Sequence, residues 1–241
     1  SRTRGLWGGG RDPSNLNIIS MIEIATAGNA TDFGDITVAR RELAGFGNQT
    51  RGLFSGGTLG SSDVIDYVTI ATTGNAIDFG NLSQARDGMA GLASATRGVV
   101  AGGEGPSPYP AVDTIEFVTI ASTGNMVDFG NLNSGKWSVA GCASPTRGLI
   151  NGNNPSSSGT IQYITIASTG NSQDFGDWSN ATHSGASFSS STRGLWSHSN
   201  PGGTSTLQYV EFATLGDGMD FGDSTVEVYR SAGCSNGHGG L

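Results

Sequence analysis

Five tandem copies of one unit fill this chain, so its fold must be one that can be repeated five times over. Thr-Arg-Gly starts at Thr3, Thr50, Thr96, Thr146 and Thr192, and Asp-Phe-Gly starts at Asp32, Asp78, Asp128, Asp174 and Asp220. From an Asp-Phe-Gly to the next Thr-Arg-Gly the distance is always 18 residues, whereas the reverse distance runs 29, 28, 32, 28 and 28. A constant stretch is held by packing. The variable stretch contains one surface loop that tolerates insertion.

Each copy divides into four strand-sized pieces. In the second copy these are the stretch around Gly45-Phe46, then residues 51–55, 64–72 and 76–82, separated by Asn48-Gln49-Thr50, Gly56-Gly57 and Thr73-Gly74-Asn75. The longest piece, Ile65-Asp66-Tyr67-Val68-Thr69-Ile70-Ala71, carries apolar side chains on both faces, as do 19–25, 115–121, 161–167 and 207–213. Such strands are expected in a sheet covered on both sides. Four antiparallel strands per unit predict an all-β fold, a five-bladed β-propeller spanning 1–241 as one domain, with repeats starting near 3, 50, 96, 146 and 192. A β-helix competes, but its rungs run nearer half this length. Segment 232–237 aligns with 140–145, the strand before a Thr-Arg-Gly turn. The N- and C-terminal strands are therefore expected to pair and close the ring, leaving no exposed edge.

The chain carries a net charge of −8 with Lys136 as its single lysine, so no nucleic-acid partner is expected. No apolar run approaches the ~20 residues of a spanning helix, so no membrane insertion is expected either. Neither a Gly-x-Ser-x-Gly elbow nor paired carboxylates point to an enzyme, and no cofactor is implied. His183, His198 and His238 lack metal-ligand spacing, and the acidic stretch 217–223 departs from the EF-hand pattern. No metal is expected. Cys142 and Cys234 align with Phe46, Leu92 and Phe188, which predicts small buried hydrophobes rather than a disulfide.

Two sets of positions stand out. Arg4, Arg51, Arg97, Arg147 and Arg193 share one repeat position, and Asp32, Asp78, Asp128, Asp174 and Asp220 share another. In an up-and-down unit the first and third turns lie on one side, so each Arg is expected to clasp an Asp and order the turns. The opposite side holds the variable loops and the inter-unit links. The loops carry Arg11, Asp12, Glu104, Tyr109, Asn153, Asn154, His198 and Asn200, and one aligned link position carries Arg41, Asp87, Trp137, His183 and Tyr229. Aromatics beside polar groups suit sugar rings. Tyr109, Trp137, His183, His198 and Tyr229 are the candidate binding residues.

The double glycines Gly9-Gly10, Gly56-Gly57 and Gly102-Gly103, and the run Arg86-Asp87-Gly88, resemble kelch repeats. The fourth copy has Gly152-Asn153 and the fifth His198-Ser199 at the glycine pair. Stretches such as Thr50-Arg51-Gly52-Leu53-Phe54-Ser55-Gly56-Gly57, and 67–75 after it, resemble tandem repeats in virion structural proteins of tailed phages, marine ones in particular. The likeness covers nearly the whole chain. It implies a tail-fibre or decoration protein at a virion surface or in another extracellular setting, in contact with other virion or tail proteins. Host attachment through a surface glycan or other receptor is the function expected of the variable loops. The alternative is a structural scaffold that only mediates protein–protein contacts.

Overall fold

A computed structural model describes residues 1–241 apart from 2, 59–61, 154–157, 183–184, 198–203, 228–232 and 234–241. The described residues contain strands and turns only. The first unit comprises β1 (Arg4–Gly8), β2 (Ile18–Glu23) and β3 (Thr31–Asp35), and the second β4 (Ala44–Gly47), β5 (Arg51–Ser55), β6 (Val64–Thr69) and β7 (Ile77–Asn81). The third begins with β8 (Ala90–Ala93), β9 (Arg97–Ala101) and β10 (Val112–Thr119). It then enters β11 (Val127–Ala143), which runs on into the fourth unit, β12 (Arg147–Asn153), β13 (Ser158–Thr165) and β14 (Gln173–Thr182). The fifth unit is β15 (Ser187–Ser189), β16 (Arg193–Ser197), β17 (Thr206–Glu211) and β18 (Met219–Asp223). All pairings are antiparallel between sequence neighbours.

This architecture corrects the five-bladed, kelch-like propeller. The sheets have three, four, seven and four strands, and none closes on itself. Three physical reasons can be named. The link 131–139 bulges at Ser138 but stays paired on both sides, with Lys136 opposite Val112 and Trp137 opposite Asn153, so the third and fourth units share one sheet. The first unit has three strands, so β1 pairs only with β2. The segment expected to complete it, 232–237, lies outside the described residues except Gly233, which sits against Phe188 and Ser187 of β15. Finally, among the described residues the contacts that join each unit to the next are not made between the fifth and the first.

Those contacts recur four times. The guanidinium of the Thr-Arg-Gly turn crosses to a carbonyl of the following unit: Arg4 to Ile70 at 2.8 Å, Arg51 to Ile120 at 2.8 Å, Arg97 to Ile166 at 2.9 Å, and Arg147 to Phe212. The third turn of each following unit zips along the last strand of the one before it. Gly74 and Ala76 donate their amides to Phe33 and Asp35 at 2.8 and 2.7 Å, and Asn75 Oδ1 accepts from the Asp35 amide at 3.1 Å. The same three bonds join Gly124, Asn125 and Met126 to Phe79 and Asn81, and they recur at the next two junctions. Each last strand thus has its edge covered, which removes a site for stray strand pairing. The approach is close enough that the Asp-Phe-Gly glycine must be glycine: a Cβ on Gly80, at φ 148°, would lie 2.3 Å from the Gly124 carbonyl oxygen.

Apolar packing follows the same stack. Phe33, Phe79, Phe129 and Phe175, each 2% exposed, are sealed by the unit that follows. Ile65, Val68, Ile115, Val118, Ile161 and Ile164 fill both faces of the third strands, as continuous apolar runs require. Within this core lies a row of polar residues. Asp66, Glu116, Gln162 and Gln208 are all buried, one in each of the second to fifth units. Asp66 is paired with buried Arg40 at 2.7 Å and Glu116 with buried Arg86 at 2.5 Å, while buried Lys136 holds the aligned place in the fourth unit. Each of the four also accepts a bond from the link: Thr37 Oγ1 at 2.5 Å, and the amides of Ser83, Asn133 and Ser179 at 3.0, 2.9 and 3.3 Å. A buried carboxylate or amide is stable only when so satisfied. The row therefore fixes where each link leaves its sheet.

Candidate functional site

The antiparallel strand order places the Thr-Arg-Gly turn and the third turn, Thr-Gly-Asn in the second to fourth units, at one end of every unit, and the variable loops and links at the other. At the turn end the arginines are spent on structure. Arg51 lies over the Tyr67 ring at 4.6 Å, Arg97 over Phe117 at 4.5 Å, Arg147 over Tyr163 at 4.6 Å and Arg193 over Tyr209 at 4.6 Å. Beneath them the Asp-Phe-Gly phenylalanines meet the same rings edge-on, as Tyr67 meets Phe79 at 5.6 Å. The expected Arg–Asp clasp does not form in any copy among the described residues. Arg4 pairs instead with Glu23 at 2.8 Å and Arg193 with Glu211 at 2.6 Å. The reason is that a third strand lies between the strand bearing each Arg and the strand bearing each Asp, a separation of roughly 10 Å. Asp32, Asp78, Asp128, Asp174 and Asp220 are exposed, and Asp32 and Asp220 each cap a glycine amide two residues on, at 3.2 Å.

A pocket at this end is lined by Ser94, Thr96, Arg97, Pro145 and Ile166. Its one charged group, Arg97, is already held by the Ile166 carbonyl and the Phe117 ring, so the pocket presents no free ionic contact.

The loop end is different. In three units the link is seated against the start of that unit's variable loop: Arg41 opposite Thr58, Asp87 opposite Glu104, Trp137 opposite Asn153. The residue after each link position is left-handed, at Glu42 (φ 57°), Gly88 (φ 62°) and Ser138 (φ 50°). Tyr109 (φ 64°) is the one other described non-glycine residue in this conformation. Side chains other than glycine occupy it at a cost of about 1–3 kcal/mol, and such positions gather where a surface has a task. Here they all fall on the loop end.

Polar bonds run along this end from unit to unit. Arg41 Nη1 donates to Asn15 Oδ1 at 3.2 Å, and Asn15 Nδ2 donates to the Thr58 carbonyl at 2.9 Å. The Thr58 hydroxyl lies 2.8 Å from Asp87 Oδ2 and 3.0 Å from Glu42 Oε2. Burial pushes the Asp87 carboxyl above its ordinary range against the pull of that hydroxyl. Glu104 is raised as well, by burial first and then by the negative charge of Asp87 and Glu42. The result is a compact acidic strip across the second and third units.

Tyr109, 63% exposed, lies on the loop that Glu104 and Ala111 close. Its loop is pinned by Gly105 to the Pro110 carbonyl at 3.0 Å, by the Tyr109 amide to Pro106 at 3.0 Å, and by Val112 to Gly103 at 2.9 Å. Pro106, Pro108 and Pro110 restrict the backbone further. The backbone beneath the ring is therefore held, and the ring itself lies in solvent. Trp137 is half-buried in the adjoining link. His183, His198 and Tyr229 lie outside the described residues. Glu42 and Thr58 join the strip although loop variability alone did not single them out; the signal available for both was their place next to the variable link position.

Cys142 is buried beside Leu149 and Trp196, with its thiol pushed well above the ordinary value by burial, as an inert core residue would be. No protein-family model matches this chain, and no curated protein matches it.

Proposed function

We propose that the chain is a non-enzymatic attachment scaffold whose loop end binds a neutral carbohydrate. The observation that carries this reading is the exposed Tyr109 ring, borne on a pinned loop whose base residue Glu104 belongs to the Glu42–Asp87–Glu104 strip. A pyranose ring offers one apolar C–H face and a rim of hydroxyls. It can stack on an exposed aromatic while carboxylates accept its O–H groups. The same negative charges repel sialylated or sulfated sugars, so neutral glycans are the favoured class. The setting proposed is a virion surface or other extracellular assembly, with virion or tail proteins as neighbours. It rests on the sequence likeness to phage structural repeats.

A glycan array probed with the purified chain tests this. Binding is expected to cluster on neutral glycans, and Tyr109→Ala is expected to weaken the best of them at least about tenfold, or ~1.4 kcal/mol. Trp137→Ala is expected to weaken it by a smaller factor. Silence on every neutral glycan, or binding untouched by Tyr109→Ala, would refute the reading.

A further inference from the structure

Each internal junction has a donor half and an acceptor half, and among the described residues the fifth and first units each present one half unmatched. The fifth unit offers Arg193 already stacked on Tyr209, the Phe221 ring, and the Asp223 backbone. Phe221 is 52% exposed where its four counterparts are 2%. A Cβ on Gly222 would meet nothing within 4 Å, whereas on Gly34, Gly80, Gly130 or Gly176 it would collide with the neighbouring unit. The first unit offers the complement: the Ile24 carbonyl, the Gly28 and Ala30 amides, and the Asn29 side chain. Ile24 is 54% exposed and Ile22 37%, against 6% and 3% for Ile70 and Val68.

We propose that the fifth unit of one molecule docks on the first unit of a second copy, reproducing the internal junction between chains. In that contact Arg193 reaches the Ile24 carbonyl as Arg4 reaches Ile70. Gly28 and Ala30 donate to Phe221 and Asp223, and Asn29 accepts from the Asp223 amide. Phe221, Ile22 and Ile24 are sealed as their counterparts are. The occupant is a second copy because both halves of a junction built four times over lie on this one chain, in register. The interface is heterologous, so one copy can bind at each end and the assembly grows head to tail. It does not depend on what the loop end binds.

Sedimentation velocity across a wide concentration series is the test. The wild-type chain is expected to shift to larger species as concentration rises. Ile24→Asp and Phe221→Asp, at exposed positions on opposite ends, are each expected to sediment as monomers. Mixed in equal amounts they are expected to give a dimer and nothing larger, because one intact donor end meets one intact acceptor end. That dimer also reports that both variants fold. Arg193→Ser, a milder change, is expected to weaken wild-type association about tenfold. A wild-type chain that stays monomeric throughout, single variants that still assemble, or a mixture that stays monomeric would overturn the proposal.

Discussion

Glu116→Ala is expected to lower stability by about 3–5 kcal/mol, read as a loss in denaturant midpoint at unchanged slope. The cost does not come from the ion pair's attraction alone. Arg86 and Glu116 are 0% and 1% exposed, and Glu116 accepts both from Arg86 Nη2 and from the Ser83 amide. Removing the carboxylate leaves a guanidinium sealed in the core, where burial already depresses its pKa against the pull of Glu116. Arg86 Nη1 keeps the Thr114 carbonyl at 3.1 Å, too little to offset a lone buried charge. The fourth unit carries no carboxylate–guanidinium pair at the same two positions, which hold buried Lys136 and Gln162. Glu116→Gln combined with Arg86→Lys is therefore expected to recover most of what Glu116→Ala loses. A double-mutant cycle measures the coupling. A loss below about 1 kcal/mol for Glu116→Ala would mean that water reaches Arg86 and the polar row is not part of the core.

Gly80→Ala is expected to cost a similar amount, about 3–5 kcal/mol. Left-handed backbone strain contributes ~1–3 of it and forced separation of two units the rest. The added Cβ faces backbone, the Gly124 carbonyl, which cannot rotate away as a side chain could. Gly222→Ala is the matched control. It has the same triplet and a positive φ of 131°, but empty space where the next unit would be. Only the strain applies there, so the monomer is expected to lose about 1–3 kcal/mol. Thermal unfolding of the two variants at a concentration where the chain is monomeric separates the cases. Equal losses would place a neighbour against Gly222.

Much of the local structure can be read from the repeat. The second copy's expected pieces at 51–55, 64–72 and 76–82 correspond to β5, β6 and β7. Apolar side chains on both faces of 65–71 do mark a strand covered twice, with Ile65 and Val68 at 0% and 3% exposure. The failures have physical causes. Whether the link breaks or stays extended depends on what lies opposite it, and Val112 and Asn153 are far along the chain from the link they hold. Ring closure depends on contacts between the first and fifth units, which no local pattern encodes; identical units can stack openly or close. The partner of each Arg was misread because linear spacing does not show the strand that intervenes. The row Asp66, Glu116, Gln162 and Gln208 was legible as a polar residue kept at one place in an otherwise apolar strand, answered by Arg40, Arg86 and Lys136. At the loop end the variable loops and the links do share one side, as Arg41 opposite Thr58 and Asp87 opposite Glu104 show. The left-handed backbone at Glu42, Ser138 and Tyr109 leaves no trace in composition, because none of the three is glycine.

Hydrogen exchange on the monomeric chain, resolved to single amides, bears most directly on the open stack. Gly74, Gly124, Gly170 and Gly216 each donate to the unit before them, as do Ala76, Met126, Ser172 and Gly218. All eight are expected to be protected, while Gly28 and Ala30, at the same positions in the first unit, exchange as fast as an unpaired turn. Protection of Gly28 and Ala30 equal to that of their counterparts, in a chain shown to be monomeric, would mean that the first unit is already covered and the stack is not open.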